Sequence, residues 1–184
     1  MKYVSLKAYP IAVAVIAGVF ALPMSAGRDD GKTPASGSPT VVVELFTSEG
    51  CSSCLPADVL LARLAEGNAA TNAYVIALEE HVDYWDELGW KDPFSSHDWT
   101  VRQYNYAGVL GNGNPYTPQM VVDGTAEFSG SRAQQAQRSI AEAAALAKTE
   151  VTLSQGTASK PGTENFSLRV GKLSPSAKGG TAEI

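Results

Sequence analysis

Cys51 and Cys54 are the two cysteines of the chain, and the pair of serines between them imposes a tight geometric condition on whatever fold holds them. They follow an apolar run and a short polar turn, Val41-Val-Val-Glu-Leu-Phe-Thr-Ser-Glu-Gly50. Residues three apart on a helix share a face, at a separation that a disulfide can span. The pair can therefore close and open without refolding the chain. If a helix begins at Cys51, its free N–H groups favour a thiolate there, which makes Cys51 the attacking sulfur and leaves Cys54, deeper in the helix, as the resolving one. So short a loop constrains an unfolded chain very little. Stapled secreted domains instead join distant segments through several cysteines.

A chain of 184 residues suffices for one domain with a core and a small appendage. Met1 to Ala26 reads as a signal peptide: Lys2 and Lys7 precede the uncharged run Ala8–Leu22, and the small residues Ser25 and Ala26 follow. That run falls short of the roughly 20 residues of a membrane span, so the expectation is an exported protein, periplasmic or secreted, with no stable span after signal removal. Loss of Lys2 and Lys7 leaves 12 basic against 19 acidic residues, a net charge of −7 instead of −5. Such a balance argues against nucleic acid as a partner. Residues 27–39, with Gly, Ser, Pro, Asp and Lys, read as a disordered linker.

Val41–Phe46 has the nearly continuous apolar pattern of a buried strand, interrupted by Glu44. The helix after Cys51 is expected to bury Leu55, Val59, Leu60 and Leu64, to kink at Pro56 and to end at Gly67-Asn68. With Ala73–Leu78 as a second buried strand, this is a βαβ unit with parallel strands. Glu79–Tyr116 is aromatic-rich, and Asp98–Ala107 within it fits one helix. Gln119–Val122, the turn Asp123-Gly124 and Thr125–Phe128 form a hairpin. Ser131–Lys148 is the clearest helix, with Ser131 and Gln134 as a capping box. Val151 and Leu153, then Phe166, Leu168 and Val170, alternate with polar residues as half-buried strands do, and Ala182–Ile184 reads as the start of a third.

Three stretches carry a resemblance: Glu44–Asp58 around the cysteines, His81-Val-Asp-Tyr-Trp-Asp-Glu-Leu-Gly-Trp-Lys-Asp-Pro-Phe94, and Tyr116-Thr-Pro-Gln-Met-Val-Val-Asp-Gly124. Together they resemble a family of secreted thioredoxin-like bacterial proteins catalogued as a domain of unknown function. The resemblance implies an α/β thioredoxin-like fold over residues 40–148, a mixed central sheet flanked by helices, with an aromatic-rich insertion. Residues 149–184 would be a partial C-terminal β appendage, cut short relative to the family. It also implies a cis Thr117–Pro118 bond beside the cysteines, with Thr117 and Pro118 binding substrate, and an acid at Glu44 relaying a proton for Cys54. The family's pattern carries a second proline where this chain has Leu55, which bears only on local helix geometry.

The function expected is a thiol–disulfide oxidoreductase in which Cys51 and Cys54 work through a mixed disulfide, with Glu44 as the third catalytic residue. No cofactor is required. Its partners would be protein or small-molecule thiols and disulfides and a redox partner. A competing reading delivers copper through Cys51, Cys54 and His81, and another keeps the fold as a non-catalytic binding module. Glu49 reads as a solvated loop residue and His97 as a surface residue at a helix start. Trp85, Trp90 and Phe94 read as core beneath a long loop.

Overall fold

A computed structural model describes residues 38–67, 72–111, 113–157, 160 and 162–173, all within the compact unit Lys32–Ile184. The expected signal peptide, most of the linker and the third C-terminal strand lie outside these residues. The architecture is mixed α/β. A four-stranded mixed sheet runs in the order β2-β1-β3-β4: β1 (Thr40–Thr47), β2 (Tyr74–His81), β3 (Gln119–Val122) and β4 (Ala126–Ser129). β1 pairs parallel with β2 and antiparallel with β3, and β3–β4 is the hairpin. Its turn holds Asp123 at φ 48° and Gly124 at φ 63°, the left-handed pair that a tight hairpin requires. Asp123 also lengthens the β1–β3 ladder, since its N–H donates to Val42 O and its Oδ1 accepts from Val42 N–H, each at 2.9 Å.

Alternation along β1 divides the core. Val41, Val43 and Leu45 face α1 (Leu55–Ala65) and α3 (Ala133–Ala145), where they meet Ala57, Leu61, Leu64, Ala136, Ile140 and Ala143. Phe46, with Val121 and Val82, faces the other layer, where Tyr106 of α2 (His97–Val109) and Tyr84 and Trp85 of a 3-10 helix (Asp83–Leu88) pack on them. Full burial of a side chain the size of Leu45 or Phe46 stabilises the fold by about 1.5–3 kcal/mol.

Several local expectations are corrected. β2 is an edge strand rather than a buried one, and Ile76 and Leu78 are exposed. The buried stripe of α1 is Ala57, Leu61 and Leu64, with Leu60 partly covered and Leu55 and Val59 exposed. Pro56 kinks nothing: α1 starts at Leu55, so Pro56 lies in its first turn, where a missing N–H has no partner to lose. α3 starts two residues past Ser131, with Arg132 at its N-cap and no side-chain cap, so the capping box is not made. The antiparallel pair β5 (Val151–Gly156) and β6 (Asn165–Val170) is exposed along both strands. Of the aromatic cluster Trp85 is half-buried against Phe46, while Trp90 and Phe94 are 52% and 66% exposed.

Candidate functional site: a disulfide at the end of the first strand

β1 ends at Thr47 and the chain turns sharply, with Cys51 N–H bonded to Ser48 O and Cys54 N–H to Cys51 O. Cys54 occupies the N-cap of α1, and Cys51 stands in the turn before it. The expectation of a helix beginning at Cys51 is thereby corrected by one turn. The two cysteines form a disulfide with Cα atoms 5.5 Å apart. Both cysteines are buried, Cys54 fully and Cys51 with 5% of its surface exposed, so Cys51 is the more accessible residue of the two.

The other side of the site comes from the start of β3. The Thr117–Pro118 peptide is cis, and Thr117 Oγ1 donates to Cys51 Sγ at 3.4 Å. The same Thr117 oxygen accepts from the Trp85 indole Nε1–H at 2.9 Å. Pro118 is drawn close to α1 because Gly130, which follows β4, has no side chain. A Cβ there would lie 2.7 Å from Leu45 Cδ1, 3.0 Å from Ala57 Cβ and 3.3 Å from Pro118 Cβ. The segment before Pro118 is further tied to α2 by Gln103, whose Nε2 donates to Tyr116 O and to Gln119 Oε1.

The insertion after β2 braces the cysteine loop through Asp92. This buried carboxylate accepts from Glu49 N–H (2.8 Å) and Phe94 N–H (2.9 Å) and lies 2.7 Å from His81 Nδ1. Burial alone would raise its pKa, but the hydrogen bonds from His81, Glu49 and Phe94 outweigh it and hold the carboxyl below the usual range. Glu49 is exposed at its side chain, as expected, while its backbone is held. His81 packs edge-on against Phe94. With Cys51 and Cys54 joined in the disulfide, no three His, Cys, Asp or Glu side chains among the described residues are grouped to hold a metal ion. His97, first in α2, is a surface residue paired with Asp83 at 3.0 Å.

Two carboxylates frame β1 from opposite faces. On the α1 side, Asp58 lies one turn past Cys54 and accepts from Thr47 Oγ1 at 2.7 Å; burial pushes its carboxyl up, only partly offset by that bond. On the α2 side, Glu44 is buried and accepts from Arg102 Nε (2.5 Å) and Tyr106 OH (2.7 Å). No hydrogen bond joins Glu44 to either sulfur among the described residues. Beside it lies Glu80, buried, 3.5 Å from Arg102 Nε, with Oε2 lacking a hydrogen-bond partner among the described residues. Burial, and then repulsion from Glu44, push the Glu80 carboxyl up to about 8, against the pull of Arg102.

A stability effect follows from Glu80. Its folded-state value lies above the ordinary 4.5, so between about pH 4.5 and 8 the folded chain holds more protons than the unfolded one and stability falls as pH rises. Glu80→Gln keeps the shape without the ionisation. The variant is expected to gain stability at pH 8, by up to about 4 kcal/mol on that shift, and nothing at pH 4, read from urea unfolding at the two pH values; an equal change at both would leave the ionisation out of it.

Asp92, Trp85 and Asp58 were missed as site residues in the sequence reading. Only Asp58 left a local signal, a carboxylate four positions after Cys54 on one helix. No curated protein matches the chain. The crystal structure of a protein from Agrobacterium tumefaciens, a structural-genomics target, is 36% identical to it with a TM-score of 0.55. That match covers 68% of this chain and 55% of the other, so this chain spans little more than half of its solved relative. The family model described as "Protein of unknown function (DUF1223)" matches residues 42–183, and the chain belongs to that family.

Proposed function

We propose that this protein is an exported thiol–disulfide oxidoreductase of thioredoxin-like fold, with Cys51 and Cys54 as its redox pair. The observation that carries the reading is the disulfide at the strand-to-helix turn with the Thr117 hydroxyl directed at Cys51 Sγ. A mixed sheet flanked by helices and a cis Thr117–Pro118 bond agree with it. In the oxidising direction a substrate thiolate attacks Cys51 Sγ, the Cys51–Cys54 bond breaks, and Cys54 leaves as a thiolate that takes up a proton. A second substrate thiolate then attacks the substrate sulfur of the mixed disulfide. The substrate disulfide forms, and Cys51 leaves as a thiolate. In the reducing direction the Cys51 thiolate opens a substrate disulfide, and Cys54 attacks Cys51 Sγ to release the reduced substrate. Thr117 and Pro118, beside the more accessible cysteine, form the wall against which the substrate is held.

The test is the reduction potential of the pair, by equilibration in glutathione buffers and trapping of free thiols. Exchange chemistry on this fold spans roughly −120 to −270 mV, and a value in that range is expected. A pair that stays closed below about −300 mV is a structural bond, and the proposal falls with it.

A further inference from the structure

Trp85 has no part in the exchange as written, yet it touches both halves of the site. Its indole nitrogen reaches Thr117 Oγ1 at 2.9 Å. Its Cβ lies 3.4 Å from where a Cβ on Gly50 would stand, so the cysteine loop runs directly over it. The residue belongs to the 3-10 helix Asp83–Leu88 and packs with Phe46, Val82 and Val121, which keeps the ring in place.

A threonine hydroxyl has one proton and a rotor free to turn it, and an indole nitrogen only donates. Once Trp85 occupies a lone pair of Thr117 Oγ1, the hydroxyl proton must point to another acceptor. Two are at hand. One is Cys51 Sγ at 3.4 Å; the other is the Tyr84 hydroxyl, which lies beside Thr117 and donates its own proton to Gln103 Oε1 at 3.2 Å. A disulfide sulfur is a weak acceptor, whereas a thiolate makes a charge-assisted bond of roughly twice the strength. A hydroxyl already turned toward Cys51 therefore favours the state in which that sulfur carries negative charge.

We propose that Trp85 is a positioning residue for Cys51: its indole N–H fixes the Thr117 hydroxyl so that the hydroxyl's one proton is presented to the Cys51 sulfur. This rests on the redox reading above. Other ionisable groups lie around the loop, namely Glu49 two residues before Cys51, Asp92 bonded to the Glu49 N–H, Asp58 one turn past Cys54, Glu79 and His81 of β2 interacting with Asp58, and Tyr84 beside Thr117. The substitutions that test Trp85 leave all of them unchanged, except for the Tyr84 control.

The experiment uses the full chain carrying Cys54→Ser, so that Cys51 is a lone thiol, and follows the rate of iodoacetamide alkylation against pH. Thr117→Val is expected to move the alkylation midpoint up by about one pH unit and Trp85→Phe by about half a unit, the scale of one hydrogen bond to a charged group. In the Thr117→Val background Trp85→Phe should add nothing. Tyr84→Phe should leave the midpoint in place or lower it, because it removes the competing acceptor. An unmoved midpoint in Trp85→Phe, or one that moves equally with and without Thr117, overturns the proposal. So does a rise in Tyr84→Phe as large as that of Thr117→Val. If Trp85→Phe fails to fold, the indole proton resonance of Trp85 supplies the test without a tryptophan variant. It is expected to shift with the same midpoint as Cys51 alkylation, and a resonance indifferent to that ionisation overturns the proposal equally. These readouts need no turnover. Absence of exchange with the shifts intact sinks the oxidoreductase reading and leaves the positioning role standing.

Discussion

Cys51→Ser is expected to reduce thiol–disulfide exchange to the uncatalysed rate, while Cys54→Ser accumulates a mixed disulfide with substrate. The asymmetry rests on burial: Cys54 is sealed at the N-cap of α1, whereas Cys51 keeps 5% of its surface and receives the Thr117 hydroxyl. An incoming thiolate reaches Cys51 first, and only Cys54 stands close enough to release what is bound there. Without Cys51 no mixed disulfide forms. Without Cys54 the intermediate has no internal resolving thiol and persists until an external one attacks. The measurement is non-reducing electrophoresis with mass spectrometry, after exposing each variant to glutathione disulfide and to a reduced, unfolded protein substrate. If Cys51→Ser traps the adduct and Cys54→Ser does not, the roles of the two sulfurs are reversed. If both variants exchange at the rate of the unaltered protein, catalysis does not reside in the pair.

How much of this was legible in the sequence depends on the span over which each feature is decided. β1, the hairpin turn at Asp123-Gly124 and the helix within the insertion are set by periodicity, left-handed turn residues and local capping, and they appear where expected to within a few residues. Ser96, for example, caps α2 by accepting from Asp98 N–H. The burial of β2 was misread because an apolar run does not say whether its second neighbour exists: the strand lies at an edge and leaves Ile76 and Leu78 exposed. The α1 stripe was misread by its phase, since the helix starts at Leu55 and that start fixes which residues face β1. The cysteine motif was legible, but the residues that hold it were not. Asp92 grips Glu49 across 43 residues and Trp85 reaches Thr117 across 32, and no local pattern encodes such pairings. The same holds for Glu44. The resemblance implies that it relays a proton for Cys54; in the structure alternation along β1 puts it on the α2 face, where Arg102, 58 residues away, is a partner no local pattern encodes.

That partnership sets the other large effect. Arg102→Met is expected to destabilise the fold by about 3 kcal/mol at pH 7, the low end for removing one partner of a buried ion pair because the arginine side chain is 43% exposed. Its guanidinium serves Glu44 through Nε, lies 3.5 Å from Glu80, donates to Tyr106 OH at 3.1 Å and sits over the Tyr106 ring. With the cation gone, Glu44 keeps the Tyr106 hydroxyl as donor and faces the buried Glu80 carboxyl, so negative charge there is left uncompensated. The loss should therefore shrink as pH falls from 7 to 5, as acid removes the uncompensated charge. Adding Glu44→Gln should recover part of it, because the uncompensated charge is then removed from both sides. Arg102→Lys should fall between, since a lysine ammonium supplies charge but not the fork that reaches Glu44 and Tyr106 together. Urea unfolding of the four proteins at pH 5 and 7 decides the matter. A penalty for Arg102→Met that is independent of pH and unrelieved by Glu44→Gln would mean that the arginine acts through the packing of its stem and its cover over Tyr106, not through the carboxylates beneath it.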